Sequence, residues 1–308
     1  MAFESAEATQ AGIRRLLGWI AVGLSTLISC AWAAWGIIEN FHEGWYFESL
    51  PLNIGLMMAQ YLSPMLVFVG LGMASAAFPR LGAILHIVLA LCVAIFFDAF
   101  KNTVILLLII PLVGLGLLFA IGTVRPVRHA FLVQLVLPVL ALAVFGVSPA
   151  VRVAHRYDDG ILLARAVQGN GVDLVWAPAG PGWPKSGGDW FEAQQTCRRL
   201  NSGGRSFEPS DQGIWRLPTI DEAVRSMTRG GLNSGGEWDV QTRTASYANT
   251  PDKESPLWNV YSQVIYWWTA TSTDRDHAFI IAYDGNVWQR SKTLGTGDLG
   301  FRCVKEEE

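Results

Sequence analysis

Hydrophobic and polar positions follow two different patterns, which meet near residue 151. Before that point, apolar stretches of 17–25 residues alternate with short polar segments, and a membrane span needs about 20 mostly apolar residues. Five stretches come close to or exceed this length, the third being the shortest: Leu16–Ile38, Ile54–Phe78, Leu81–Phe97, Val104–Val124 and Phe131–Val151. The pattern predicts an all-α bundle of five transmembrane helices over residues 1–151.

Charge is distributed as unevenly as hydrophobicity. Residues 1–150 carry 6 Lys and Arg and 6 Asp and Glu, whereas residues 151–308 carry 17 and 20. The uncharged runs exclude a purely soluble enzyme and a disordered chain, and the second half has the composition of an ordinary soluble domain. No basic face accumulates anywhere, so a nucleic-acid partner is not expected.

The loops between the spans predict an orientation. One set of loops collects Arg14, Arg15, Arg80, Arg125 and Arg128, whereas Lys101 is the only basic residue of the other set. Basic loops stay in the cytoplasm, so the N-terminus is expected inside. An odd number of spans then places residues 152–308 outside an inner (cell) membrane, as a periplasmic or extracellular domain.

The span interiors contain little chemistry that transport would need. Apart from hydroxyl groups, their polar side chains are His86, Gln60 and Gln134, and the prolines at Pro64, Pro111 and Pro138 predict kinks rather than breaks. Small residues at four-residue spacing (Gly70/Ala74 and Gly72/Ala76) favour close helix packing. We interpret this half as an anchor and assembly surface. Cys30 follows a lipoprotein-like box, but the apolar run continues past it and favours an uncleaved signal anchor.

After Arg152 the pattern changes to short strands, turns and tryptophans, which predicts an α+β domain over residues 152–308. Asp189 with Glu192, and Thr219 with Glu222, have the spacing of helix N-caps. Strands are expected at Val172–Trp176, Ile265–Thr271, His277–Tyr283, Asn286–Arg290 and Gly300–Lys305, with a two-residue turn at Asp284-Gly285.

Tryptophans in the predicted strands give expectations about the core. Trp267 and Trp268 are adjacent, so they must point to opposite faces of their strand. One of them is partly exposed unless both faces are covered. The two-residue turn places Trp288 opposite Ile281, on an apolar face, which predicts that Trp288 is in the core.

Five motifs of the second half resemble a known family. In chain order they are DWFEAQQTCRRL, WRLPTIDEA, YWWTAT, AFIIAYDGNV and GFRCVK. Between residues 172 and 305 the chain is similar to the bacterial Lcl C-terminal-like domain of unknown function. That family is related to formylglycine-generating, sulfatase-modifying factors, so the resemblance implies a C-type-lectin-like fold. The first half resembles no family that we can name.

The same resemblance implies a disulfide between Cys197 and Cys303, because the lectin-like fold commonly ties the first helix to the last strand. An oxidising compartment outside the membrane agrees with it, and the alternative is two separate buried thiols. The related enzymes use a close pair of cysteines near their C-terminus. In this chain Cys303 has no neighbouring cysteine, so such a pair is not present there. No Cys/His cluster has zinc spacing. Neither a metal nor a cofactor is expected, and no catalytic residue is assigned.

The resemblance also places ligand binding on the long loop region, here Gly230–Gln263, together with Ser272–His277 and Ser291–Leu299. Charged and aromatic side chains there form the candidate binding surface: Trp238, Asp239, Lys253, Trp258, Arg275 and Lys292. For Trp238 and Trp258 the alternative is that they pin the long loop to the domain. We interpret the protein as a membrane-anchored, non-catalytic recognition protein. Its partner would be a protein, a peptide or a glycan, or it is an accessory subunit of a membrane complex. An enzyme of the sulfatase-modifying class, and a sensor or transport component with an outer cap, are the alternatives.

Overall fold

A computed structural model describes residues 2–99, 101 and 105–307. The chain divides into two compact units. The first consists of residues 1–44 and 50–151, and the second of residues 45–49 and 152–308.

The first unit is helical. Its helices are α1 (Ala2–His42), α2 (Leu50–Leu56), α3 (Ser63–Ala77), α4 (Pro79–Phe96), α5 (Leu106–Ile121) and α6 (Val127–Ala154). Among the described residues, three helical segments are long and apolar enough to cross a membrane: Glu7–His42, Pro79–Phe96 and Val127–Ala154. The segments around α2 and α3 together make a fourth candidate if a bent pair counts as one span. At 16 residues α5 is shorter than a typical span, and the Val104 start of its predicted stretch lies outside the described residues.

The second predicted span is broken rather than kinked. α2 runs into a π-helical turn at Met57–Tyr61, and α3 then starts at Ser63 with the chain bent by 60°. Pro64 lies in the first turn of α3. Proline has no N–H to donate to the preceding turn and disfavours helical geometry in the residue before it, so it suits a helix start. The expectation of a kink inside one helix at Pro64 is therefore wrong.

Glycines allow the helices of the first unit to approach closely. A Cβ on Gly18 would lie 2.5 Å from the carbonyl oxygen of Thr123, and a Cβ on Gly36 would clash with that of Tyr61. Gly72 is buried against the side chains of Gln134 and Ser25, whereas a Cβ on Gly70 would meet nothing within 4 Å. Of the two small-residue pairs, only the one that contains Gly72 has its glycine in a tight helix contact.

The second unit combines short strands with two helices. The helices are α7 (Trp190–Arg198) and α8 (Ile220–Ser226). The strands are β1 (Arg165–Gly169), β2 (Val172–Trp176), β3 (Thr228–Arg229), β4 (Leu232–Asn233), β5 (Gly236–Asp239), β6 (Thr244–Tyr247), β7 (Tyr266–Ser272), β8 (His277–Ala282), β9 (Val287–Ser291), β10 (Leu299–Gly300) and β11 (Val304–Glu306). They form sheets of order β1-β2-β11 and β10-β7-β8-β9 and the hairpins β3-β4 and β5-β6.

The four-stranded sheet has a core on each face. Trp267 belongs to one apolar cluster, together with Phe279 and Ile281. Trp268 belongs to the other, together with Ile280. Because side chains alternate along a strand, neighbouring residues of β7 and β8 supply opposite clusters. The prediction that the two tryptophans point to opposite faces is confirmed, and both are buried because both faces are covered.

Both helices of the second unit begin as the sequence predicts. The Asp189 carboxylate accepts a hydrogen bond from the Glu192 amide at 2.8 Å. Thr219 and Glu222 form a reciprocal capping box.

A disulfide joins Cys197, in α7, to Cys303, the residue before β11, with the Cα atoms 5.6 Å apart. The predicted bridge is therefore present.

The hairpin between β8 and β9 is offset by one residue from the prediction. Ile281 pairs with Val287 and Ile280 pairs with Trp288, and the Ala282 amide donates to the Asn286 carbonyl. A shift of one residue moves a side chain to the other face of the sheet. Trp288 accordingly lies beside Tyr266 and is 36% exposed, so the expectation of a core position is wrong.

Candidate functional site

A groove of about 370 Å³ opens on the surface of the second unit. Four segments form its walls: the start of α8, the hairpin β5-β6, the end of β7 with the turn after it, and strand β8. Its lining residues are Thr219, Ile220, Asp221, Trp238, Val240, Arg243, Thr271, Ser272, Thr273 and Phe279. The volume lies within the range of pockets that hold small ligands.

The groove combines an aromatic wall with polar side chains. Trp238 packs edge-on against Phe279, with ring centroids 5.2 Å apart, and the half-buried indole keeps part of its surface in the groove. Asp221 and Arg243 supply one charge of each sign, and Asp221 is itself paired with Arg225 at 2.8 Å. The Thr273 hydroxyl is buried and has no hydrogen-bond partner in the described part of the chain. A buried hydroxyl without a partner is uncommon, and a ligand would reach this one only if the Thr273 side chain turned towards the groove.

Two predicted ligand contacts are exposed but do not line the groove. Asp239 caps the β5-β6 turn, where its carboxylate accepts hydrogen bonds from the amides of Gln241 and Thr242. Hydrogen bonding within this turn lowers the pKa of Asp239 below its ordinary value. Arg275 is exposed in the turn between β7 and β8. Of the six predicted contacts, only Trp238 lines the groove.

Lys292 has a structural position, which corrects its assignment to an exposed recognition surface. The side chain is buried and its Nζ donates to the carbonyls of Asp274 and Arg275, at 3.0 and 3.1 Å. The ammonium also lies 4.6 Å from the ring centroid of Trp190. Lys292 therefore holds the β7-β8 turn against α7, because the turn leaves two carbonyl groups that need a donor.

Trp258 and Lys253 are also buried, and their placement on an exposed surface is wrong. Trp258 stacks on Trp267 with a centroid distance of 3.6 Å. Lys253 is fully buried and its Nζ donates to the Ser262 carbonyl at 2.8 Å. Burial lowers the pKa of Lys253 to about 7, and the charge of Arg156 acts in the same direction. Both residues hold the long loop onto the domain.

A buried carboxylate lies next to Lys253. Asp252 is fully buried and is contacted by the guanidinium groups of Arg152, Arg156 and Arg229, at 2.6, 3.0 and 2.9 Å. Burial raises the pKa of this carboxyl, but hydrogen bonds from Arg152 and the charges of Arg156 and Arg152 outweigh it, and the result is a pKa of about 2. Asp252 is therefore ionised at every physiological pH.

The neighbouring carboxylate, Glu254, completes this polar cluster. It is buried and accepts hydrogen bonds from the backbone amides of Tyr157 and Gly230. Arg229 lies 3.9 Å away, at the limit of an ion pair. Buried charges are tolerated when they are paired and hydrogen-bonded. The charged run at 252–254 is therefore internal, although its composition is typical of an exposed loop.

Sequence reasoning missed Arg302 as an organising residue. Its side chain is fully buried, with Nε donating to the Ala177 carbonyl at 2.8 Å and Nη1 donating to the carbonyls of Pro256 and Leu257. The guanidinium lies 3.7 Å from the ring centroid of Trp183. The motif GFRCVK contains this arginine, but a pattern of neighbours in sequence does not reveal carbonyl partners 45 and 125 residues away.

Among the described residues, no group of three or more His, Cys, Asp or Glu side chains is arranged to hold a metal ion. The disulfide uses both cysteines of the second unit, and Cys30 and Cys92 lie in helices of the first. No known family, curated protein or solved structure matches the chain.

Proposed function

We propose that the protein is a multi-pass inner-membrane protein with five spans, a cytoplasmic N-terminus and an extracytoplasmic second unit. Five basic residues on one set of loops against one on the other support the orientation. The disulfide supports an oxidising compartment for the second unit. In the proposed count of five spans, the bent pair of α2 and α3 forms one span and the short helix α5 forms another.

The orientation predicts which positions react with a membrane-impermeant maleimide in intact cells. Glu48→Cys, in an acidic loop, should be labelled, whereas His129→Cys, in the first turn of α6 beside Arg125 and Arg128, should be labelled only after permeabilisation. Both native residues are exposed, so the pair is matched in accessibility. Labelling of His129→Cys in intact cells, with protection of Glu48→Cys, would reverse the proposed topology.

We further propose that the second unit is a recognition domain, with a C-type-lectin-like fold, that binds a peptide or glycan in the groove beside Trp238. The observation that carries this is the juxtaposition of an indole face, threonine residues and opposite charges in the lining of one groove. Binding sites combine mostly apolar walls with a few placed polar groups that fix orientation. The groove has this composition.

The lining suggests which ligands to test. An indole face packs against the apolar face of a sugar ring or against an aliphatic side chain, and threonine hydroxyls hydrogen-bond to hydroxyl or amide groups. Asp221 and Arg243 would favour a ligand that carries both charges or none. The defined probes are therefore neutral oligosaccharides, and tripeptides that contain one acidic and one basic side chain.

The binding proposal predicts that Trp238→Ala weakens capture of such a probe by about thirtyfold or more, the size of effect expected at an energetic centre of an interface. Calorimetric titration of the full-length protein in an uncharged detergent measures it. Trp288→Ala is the matched control, since Trp288 is also half-exposed on the same unit but does not line the groove.

Two results would contradict the groove as the binding site. One is that neither probe set binds the wild-type protein at millimolar concentration. The other is that a probe binds equally well to the wild-type and Trp238→Ala proteins. Trp238→Phe keeps an aromatic face and should recover most of the affinity, which separates ring stacking from a general loss of folding.

A further inference from the structure

A second, polar pocket lies elsewhere on the second unit, apart from the groove. It has a volume of about 290 Å³ and is lined by Arg152, Arg229, Asn249, Thr250 and Pro251. The two arginine side chains are 41% and 38% exposed, so both guanidinium groups reach solvent. Unlike the groove, this pocket contains no aromatic side chain and is lined by cationic, amide and hydroxyl groups.

Both arginines keep free donors. Arg152 uses Nε and Nη2 on Asp252, and Arg229 uses Nη1 on the same carboxylate. A guanidinium has five N–H donors. Nη1 of Arg152 and Nη2 of Arg229 have no hydrogen-bond partner among the described residues. The side chains of Asn249 and Thr250 are exposed and likewise form no hydrogen bond there.

The buried carboxylate fixes the arginines in place. Asp252 is inaccessible to solvent and forms ion pairs with both guanidinium groups on the side away from solvent. Because these pairs already restrict the two arginine side chains, binding an anion would cost little further side-chain entropy. Three guanidinium groups, those of Arg152, Arg156 and Arg229, contact the single carboxylate of Asp252. Glu254 lies 3.9 Å from Arg229, and the charge of Asp284 also acts on Arg152. A fixed pair of guanidinium groups suits a planar or tetrahedral oxyanion.

We propose that this pocket binds a phosphate group, held by Arg152 and Arg229 with Thr250 and Asn249 as neutral donors. The phosphate belongs either to a lipid headgroup or to free inorganic phosphate. The lipid source has one observation in its favour: Arg152 directly follows the apolar stretch Phe131–Val151 in α6, and residues at the end of a span lie at headgroup level. The proposal does not depend on what the groove binds.

The test uses the full-length protein in an uncharged detergent. Inorganic phosphate is titrated by calorimetry, and retention of added phosphatidylglycerol is followed by native mass spectrometry. Arg229→Gln should weaken the observed binding about tenfold or more, because a charge-assisted hydrogen bond to phosphate is lost. Thr250→Val should weaken it about threefold, and binding should fall as salt is added.

Arg225→Gln is the matched control. Arg225 has a similar exposure, 35%, and a carboxylate partner in Asp221, but it does not line this pocket. Thr250→Val does not touch Asp252, so it tests the pocket even if Arg229→Gln disturbs folding. Binding of phosphatidylglycerol alone assigns the lipid headgroup, and binding of inorganic phosphate alone or of both supports the phosphate site. Binding of neither, or equal binding by wild type and both pocket variants, overturns the proposal.

Discussion

Replacing Cys197 and Cys303 together by alanine is expected to lower the free energy of unfolding of the second unit by about 4–5 kcal/mol. The bridge closes a segment with a sequence separation of 106 residues, and a loop of about 100 residues is worth about 4.7 kcal/mol in the chain-entropy description. A domain is typically stable by only about 5–15 kcal/mol. The loss would therefore remove between about a third and nearly all of such a margin, and the urea concentration at half-unfolding should fall sharply.

Pulse proteolysis of the full-length protein in urea measures this loss on peptides from residues 165–307. Cys30→Ser with Cys92→Ser is the control, because these free cysteines lie in the first unit and should leave the second unchanged. Both bonded cysteines are fully buried, so reductant should act on the wild-type protein only once it unfolds. An unchanged urea midpoint in the double-alanine variant would refute the expected role of the bridge.

Elements that depend on near neighbours in sequence were predictable. The caps at Asp189 and Thr219 each need a partner only three residues away, so the spacing alone indicates them. The tandem tryptophans in β7 follow from strand geometry, which sends neighbours to opposite faces. What the sequence left open was whether both faces are covered, since the two clusters draw on segments from residue 167 to residue 304.

The register of the last hairpin shows where local reasoning fails. Asp284-Gly285 has the composition of a two-residue turn, yet Ala282 pairs with Asn286, so the turn holds three residues. Gly285 has a positive φ of 85°, which suits the last position of such a turn. One additional residue was enough to move Trp288 from the expected core face to a half-exposed position.

The candidate site was predicted only in part, because loop side chains find partners far away in sequence. Trp238 lines the groove, but Lys253, Trp258 and Lys292 are buried. Lys253 looked like an exposed charge because it lies in a polar run. The run is internal because Arg152 and Arg156 reach Asp252 from about 100 residues earlier in the chain. Composition alone contains no information on such pairs.

The ion pairs between Asp252 and the arginines lead to the second prediction, a large loss of stability. Asp252→Asn should lower the free energy of unfolding of the second unit by about 3–5 kcal/mol, the cost of removing one partner from a buried ion pair. Three arginines would lose their shared counter-charge, and Arg156, whose side chain is only 3% exposed, cannot turn to solvent to compensate. Asparagine keeps the size of the side chain, so the loss reports charge rather than packing.

The pH dependence of stability should change in the same variant. The pKa of Asp252 is about 2 in the folded protein, against an ordinary value of 3.8. A lowered carboxyl pKa stabilises the fold above the higher value, and this contribution is lost as the pH falls from about 3.8 towards 2. Wild type should therefore lose stability across that window, and Asp252→Asn should lose less.

Asp221→Asn is the matched control for both measurements. Asp221 also pairs with an arginine, but the two side chains are 46% and 35% exposed and lie four residues apart on α8. Exposed pairs of this kind contribute roughly 0–1 kcal/mol, so the control should stay close to wild type. Hydrogen exchange of the full-length protein, read on peptides that cover residues 249–263 and 152–159, locates any loosening. If Asp252→Asn is as stable as Asp221→Asn at neutral pH, the arginine-bound carboxylate does not hold the long loop in place.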